Sequence, residues 1–245
     1  MPRPVTIVTG GSRGIGAAVC RRLAAEGHDL LLGFLSDADS AEQVVAAVRK
    51  GGAHCVAVRA DTSVEADVTR LFDTAAAELG PVTGLVNNAA VTGPLGRLAD
   101  TGTDVLRRVL DVNLLGYLLC ARRAAQVMTS GGAIVNISSA AATLGSPGEY
   151  VHYAATKAAT DALTVGLAKE LAAEGIRVNA VAPGITLTGM HAAAGDPDRV
   201  DRAAATRIPM RRAGEPDEIA AAVAWLLSPD SSYTTGAVLR VAGGM

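Results

Sequence analysis

The chain has 245 residues, 49% of them hydrophobic, with 22 Lys and Arg against 24 Asp and Glu and a formal charge of -2. That length suits one large α/β domain with a sizeable core, and the near-balanced charge leaves no basic footprint for nucleic acid. No apolar run approaches the ~20 residues of a membrane span, the histidines show no metal-ligand spacing, and Cys20, Cys55 and Cys120 read as buried thiols of a reduced compartment. The start, MPRPVTIVTGG, runs straight into a strand pattern with no signal-peptide layout, which predicts a cytoplasmic protein.

Short β-branched or leucine-rich runs recur at 5–9, 30–34, 55–58, 84–86, 133–137, 177–181 and 238–241. Between them lie alanine-rich amphipathic stretches at 15–26, 41–50, 64–79, 105–128, 153–174 and 218–227. Continuous apolar strands separated by helices predict a doubly wound parallel sheet of about seven strands, with helices on both faces. Ser40 with Gln43 reads as a capping box opening the second helix. No linker or repeat interrupts the pattern, so residues 1–245 read as a single domain. Residues 186–208 break the rhythm with glycines and a proline around a short helical patch, which predicts a substrate lid.

VTIVTGGSRGIG places Gly10, Gly14 and Gly16 between the first strand and the first helix. Small residues permit a tight turn and close backbone approach to a pyrophosphate, and the helix N-terminus offers free N–H groups and a favourable dipole. Dinucleotide folds that take NAD often end their second strand with a carboxylate for the ribose hydroxyls. Here that end reads Gly33-Phe34-Leu35-Ser36, with no carboxylate before Asp37. Arg13 sits inside the phosphate turn, where its fork of donors suits a 2′-phosphate, and Ser36 can add a hydroxyl. This favours NADP(H) over NAD(H). The alternative is a solvated Arg13 with Asp37 bending back to the ribose.

Tyr153 and Lys157 stand four residues apart in YAATK, with Ser139 a short loop upstream. Four residues on a helix is about one turn, so phenol and ammonium share a face. An ammonium beside a phenol favours the phenolate, which predicts a lowered Tyr153 pKa and proton exchange with an alcohol near neutral pH.

With TGGSRGIG, NNAA, the Asn of LDVN, the serine of NISS, YAATK and VAPG in this order, the sequence resembles the short-chain dehydrogenase/reductase family over essentially its whole length. It is similar to the roughly 250-residue branch. The enoyl-reducing branch spaces its Tyr and Lys more widely. The resemblance implies a Rossmann-type domain and reversible reduction of a carbonyl on a small-molecule substrate. It implies that Ser139, rather than its neighbour Ser138, hydrogen-bonds the substrate oxygen and that Tyr153 is the general acid/base. Lys157 then bonds the nicotinamide ribose, and Asn113 kinks its helix and holds a relay water. Asp61 matches the residue that contacts adenine, although read alone it is an equally good cap before Val64. Asn87 matches the cofactor-side asparagine of NNAG, with Ala90 here in place of the glycine. Ser12, Ile15, Thr62, Ala89 and the Pro183-Gly184-Ile185 turn complete the implied cofactor contacts. Thr188 matches a threonine near the cofactor amide, with Thr186 as the alternative.

The same resemblance places Val91, the 140–144 turn, Tyr150, His152, Ile185, Met190 and His191 around the substrate. A 3-oxoacyl-carrier-protein reductase and a sugar dehydrogenase are alternatives within the family. Relatives of the first kind carry basic residues to dock an acidic carrier, whereas here those neighbourhoods read MTSGG and AAEGIR, with Glu174. A non-catalytic NADP(H)-sensing regulator is the alternative from another class, but such proteins usually lose the catalytic tyrosine or lysine. Family members commonly assemble as homotetramers, sometimes homodimers, through the 105–128 and 153–174 helices and the C-terminal segment.

Overall fold

The computed structural model describes residues 3–190, 195, 196 and 198–245. Its strands are β1 (Val5–Thr9), β2 (Asp29–Phe34), β3 (Cys55–Arg59), β4 (Val82–Asn87), β5 (Ala133–Ile137), β6 (Arg177–Pro183) and β7 (Val238–Val241). All pair in parallel in one seven-stranded sheet of order β3-β2-β1-β4-β5-β6-β7. Between the strands run α1 (Gly14–Ala25), α2 (Ala38–Lys50), α3 (Glu65–Glu78), α4 (Thr103–Leu110), α5 (Gly116–Val127), α6 (Ala141–Leu144), α7 (Val151–Leu171), α8 (Arg199–Thr206) and α9 (Pro216–Leu227).

The continuous apolar strands bury both faces. Val8, Leu30, Leu32, Val86 and Val135 pack under α1, α2 and α9. Their neighbours Ile7, Leu31, Leu85 and Ile134 pack under α3, α5 and α7. This alternation is the two-residue period of a strand expressed on two covered faces. All three cysteines are buried free thiols. No helix among the described residues is long and apolar enough to cross a membrane.

Two local expectations are corrected. The second helix starts three residues before 41, because Asp37 is its cap and accepts the Ser40 N–H at 3.0 Å. A carboxylate caps as well as a serine does, so Ser40 becomes a capped residue and not the start of a box with Gln43. The reciprocal arrangement belongs to α9, where Glu218 accepts the Glu215 N–H at 2.8 Å and Pro216 opens the helix. The long 105–128 helix is divided by a π turn at Asp111–Leu115. Such turns concentrate at functional sites, and this one carries Asn113.

The strand order reverses between β1 and β4, which opens the crevice where ligands bind in sheets of this topology. Residues 9–16, 87–93, 137–144 and 183–190 follow the carboxyl ends of β1, β4, β5 and β6 and form its walls.

Candidate active site

At the β1 end, Gly10 and Gly14 adopt φ of 64° and 53°, a region open to glycine. A Cβ at Gly16 would lie 2.2 Å from the Gly10 carbonyl oxygen and 2.6 Å from Asn88 Nδ2. The turn is therefore closed tightly against the start of α1. Arg13 is the N-cap of α1 but makes no side-chain cap, and the first turn holds no acidic residue. Its N–H groups face an anion without a competitor.

Asn88 braces this turn, donating through Nδ2 to the Thr9 and Gly10 carbonyls at 2.9 and 3.0 Å. Thr9 Oγ1 accepts the N–H groups of Asn88 and Ala89 in return, at 2.9 and 3.1 Å. Asn87 turns the other way, donating to Asn136 Oδ1 at 3.0 Å inside the sheet, and its own Oδ1 is buried without a partner. Of the two asparagines in NNAA, Asn88 holds the phosphate turn, a role the sequence reading did not assign.

Asp61 accepts the Ser63 N–H and hydroxyl at 3.0 and 2.6 Å and Arg108 at 2.9 Å. Burial pushes its carboxyl up, but these hydrogen bonds prevail and hold it below the usual range. Thr62 is buried against Gly116. Pro183 accepts the Ala140 N–H, and Gly184 donates to Val241 at 2.9 Å, which ties the β6 turn to its neighbours. Ile185 is buried above it. Thr186 is also buried and bonds the Gly184 carbonyl, whereas Thr188 stands across from Gly14 and lines with it a pocket beside the turn. Thr188 is therefore the threonine that faces the phosphate turn. Ser12 lines that pocket, Ser36 lies exposed past the end of β2, and Ile15 packs partly buried on the core under α1.

At the β5 end, Ser139 is half-buried and its hydroxyl acts on Tyr153, drawing the phenol's pKa down, while its Oγ accepts the Ala141 N–H at 3.1 Å. Ser138 is buried and donates to the Lys157 carbonyl. The two serines of NISS thus divide into one facing the cleft and one facing α7. Tyr153 stacks edge-on against Tyr150, ring centroids 5.3 Å apart. His152 is buried, its Nε2 2.8 Å from the Thr92 carbonyl. Tyr150 and His152 are thus buried residues and not exposed loop residues; Tyr150 packs with Ala141, Tyr153 and Leu95. Met190 and His191 were expected here too; Met190 N reaches Thr188 Oγ1 at 3.5 Å, and His191 lies outside the described residues.

Lys157 is 1% exposed. Its Nζ donates to the Ile137 carbonyl at 2.7 Å and to the Tyr117 hydroxyl at 3.0 Å, and lies 5.7 Å from the Tyr153 ring centroid. Burial pushes its pKa down to about 7. The expectation that Lys157 lowers the Tyr153 pKa is therefore corrected: burial pushes the Tyr153 phenol up, against the opposing influence of the Ser139 hydroxyl. Removing a phenolate from water costs more than a weakened, otherwise engaged ammonium returns. Tyr117, which donates to the Ile137 carbonyl at 3.1 Å, is the residue the sequence reading missed. Its signal was its place one turn beyond Asn113 in NLLGY.

Asn113 is fully buried. Its Oδ1 accepts the Val91 N–H at 2.9 Å and its Nδ2 donates to the Val91 carbonyl at 2.8 Å and to Thr156 Oγ1 at 3.3 Å. The side chain pins the loop after β4 to α7.

The depressed Lys157 pKa has a stability consequence. Below pH ~7 both folded and unfolded chains hold the proton; between about 7 and 10.5 only the unfolded chain holds it fully, so stability rises with pH. Lys157→Met should remove up to ~1.4 kcal/mol per pH unit of that slope. Denaturant unfolding of both cofactor-free proteins between about pH 7.5 and 8.5 measures it, and parallel slopes contradict the assignment.

Comparison with known proteins agrees with this geometry. A family model described as enoyl-(acyl carrier protein) reductase matches residues 10–245. The uncharacterized oxidoreductase YgfF of Escherichia coli (strain K12) is 44% identical, over 98% of this chain and 99% of its own. The 3beta-hydroxysteroid dehydrogenase 1 of Eggerthella lenta is 42% identical, over 98% and 92%. A solved short chain dehydrogenase from Burkholderia cenocepacia J2315, in complex with NADP, superposes with a TM-score of 0.92 at 36% identity, covering 99% of this chain and 97% of that one. The protein is an oxidoreductase with a Rossmann fold. It belongs to the short-chain dehydrogenase/reductase family.

Proposed function

We propose that the protein interconverts a carbonyl and a secondary alcohol with NADP(H). The observation that carries this reading is the Ser139–Tyr153 hydroxyl pair at the cleft, beside the buried Lys157. Two hydroxyls converging from different elements suit one oxygen that gains charge as its carbon is reduced. That arrangement, with Tyr153 and Lys157 a single turn apart, favours a carbonyl over the carbon–carbon double bond named in the family model's description.

The residues present fit the cofactor. The tight Gly10–Gly16 turn, the acid-free first turn of α1 and the absence of a carboxylate at the end of β2 suit a phosphorylated dinucleotide. In this reading Gly14, Ile15 and Gly16 meet the pyrophosphate, Arg13 the 2′-phosphate, Asp61 the adenine edge and Thr188 the opposite side of the cleft. When bound, the nicotinamide supplies or receives the hydride.

Ser139 Oγ donates a hydrogen bond to the substrate oxygen. Tyr153 Oη gives that oxygen its proton in the reductive direction. The raised Tyr153 pKa keeps the proton in place until charge develops on the oxygen. Lys157, held by Ile137 and Tyr117 and brought to a pKa of about 7, sets a group that gains or loses a proton near neutral pH one turn from the phenol. Asn113 has spent its side-chain amide on Val91 and Thr156, so it positions the loop after β4 and the start of α7 rather than offering that amide to a relay water. Residues 186–208, of which 191–194 and 197 lie outside the described residues, are read as the lid.

Support for NADP(H) comes from Arg13 and from the NADP-bound relative. The test is turnover with NADPH and NADH over a panel of ketones, sugars and acyl thioesters. NADPH-dependent reduction of at least one class is expected; tight NADPH binding with no turnover on any carbonyl favours a sensor instead. Leu115 at the end of the π turn, Leu118 on α5 and Val151 and Val165 on α7 are exposed, and a second copy covering them supports a homotetramer. Light scattering that returns a monomer contradicts it.

A further inference from the structure

A polar pocket of about 420 Å³ opens on the outer side of the phosphate turn. Its walls come from the turn itself and from α1, α2, the 187–189 segment and the start of α9. None of the residues placed around the adenine edge or the catalytic tyrosine lines it. Two arginines do, Arg13 and Arg21, together with Ser12, Ser40 and Gln43, and no Asp or Glu does.

The two guanidinium groups converge for a geometric reason. Arg13 caps α1, Ala17 is one turn on and Arg21 two turns on. Helical side chains lean toward the N-terminus, so Arg21 reaches back over Ala17 toward Arg13. The small Ala17 leaves space between them. Arg13 and Arg21 make no hydrogen bond or ion pair among the described residues, whereas Arg49, Arg108, Arg177 and Arg212 are each bonded to the protein. Asp37 acts on Arg13 through charge but spends Oδ1 on capping α2 and does not line the pocket. Two unengaged cations, a fork of donors on each and neutral donors from α2 form a site for a phosphate dianion.

We propose that Arg21 is a ligand-binding residue of this pocket and, with Arg13, takes a phosphate monoester: the 2′-phosphate of the cofactor, or a phosphate free in solution. The first source rests on the NADP(H) reading above and gives Arg21 the part beside Arg13 that the sequence analysis gives to the Ser36 hydroxyl. The second source does not depend on that reading.

The test is calorimetric titration of the cofactor-free wild type, Arg21→Gln and Arg13→Gln with NADPH, NADH and inorganic phosphate. Arg21 is exposed, so its replacement leaves the core intact. Loss of one charge-assisted contact should weaken NADPH about tenfold, leave NADH unchanged and weaken inorganic phosphate as well. Phosphate displaced by NADPH but not by NADH identifies the cofactor as the source. Phosphate that still binds, through Arg21, to the NADPH complex identifies the free ion. Wild-type affinities for NADPH and phosphate in Arg21→Gln overturn the proposal. If Arg13→Gln alone loses NADPH preference, the role of Arg21 fails and the NADP(H) reading stands. If wild type prefers NADH yet binds phosphate through Arg21, the reading fails and the pocket stands.

Discussion

Tyr153→Phe should lower turnover by at least ~10²-fold and up to ~10⁴-fold. The substitution removes one oxygen and keeps the ring. The edge-on contact with Tyr150 survives, so the wall of the cleft and the start of α7 stay in place. Ser139 still reaches the substrate oxygen, which preserves binding but leaves no proton donor beside it. Steady-state kinetics with a reducible substrate should therefore show the loss in turnover, while cofactor affinity measured by titration stays near that of wild type. A variant within tenfold of wild-type turnover shows that another group delivers the proton.

Gly16→Ala should damage the opposite end of the site. The new Cβ would lie 2.2 Å from the Gly10 carbonyl oxygen; the Cβ is fixed by its own backbone and its partner is backbone. Neither can rotate away, so the turn and the first turn of α1 must separate. Asn88 is caught in the same overlap, at 2.6 Å, and it is the side chain that holds Thr9 and Gly10. Overpacking of this kind costs about 1–3 kcal/mol in stability, and a displacement of ~1 Å at a ligand-positioning turn costs activity on the order of 10²-fold. Thermal unfolding and cofactor titration of the variant measure the two effects. Wild-type cofactor affinity in Gly16→Ala would show that this turn does not cradle the phosphates.

Much of the fold was legible because the strands alternate with helices so regularly. The bounds of β1, β5 and β7 coincide with the apolar runs at 5–9, 133–137 and 238–241. Hydrophobic periodicity could not show the break in the 105–128 helix, since a π turn adds one residue to a turn without changing the composition of the buried face. It also could not separate Asp37 from Ser40 as a cap, because both are good capping residues.

The grouping of Ser139, Tyr153 and Lys157 was legible by spacing and order, and its electrostatics were not. Tyr117 fills an apolar position on α5, and its hydroxyl gains a role only when α5 packs beside β5 and α7 and meets Lys157. The same packing removes Lys157 from water and brings its pKa to about 7. Asn88 was masked by its neighbour, since the strand end decides which of two adjacent asparagines turns inward. Arg21 was masked by distance in sequence from the turn, although two helical turns bring it to the pocket of Arg13.

The central claim is hydride transfer to a carbonyl carbon. It is tested most directly by giving the enzyme NADPH deuterated at its transferable position, together with a carbonyl substrate found in the panel. The account predicts one deuteron on the carbinol carbon of the product, delivered to a single face, at a rate cut at least ~10²-fold in Tyr153→Phe. Tight cofactor binding without transfer of the label to any carbonyl, or label transfer unaffected by Tyr153→Phe, contradicts it.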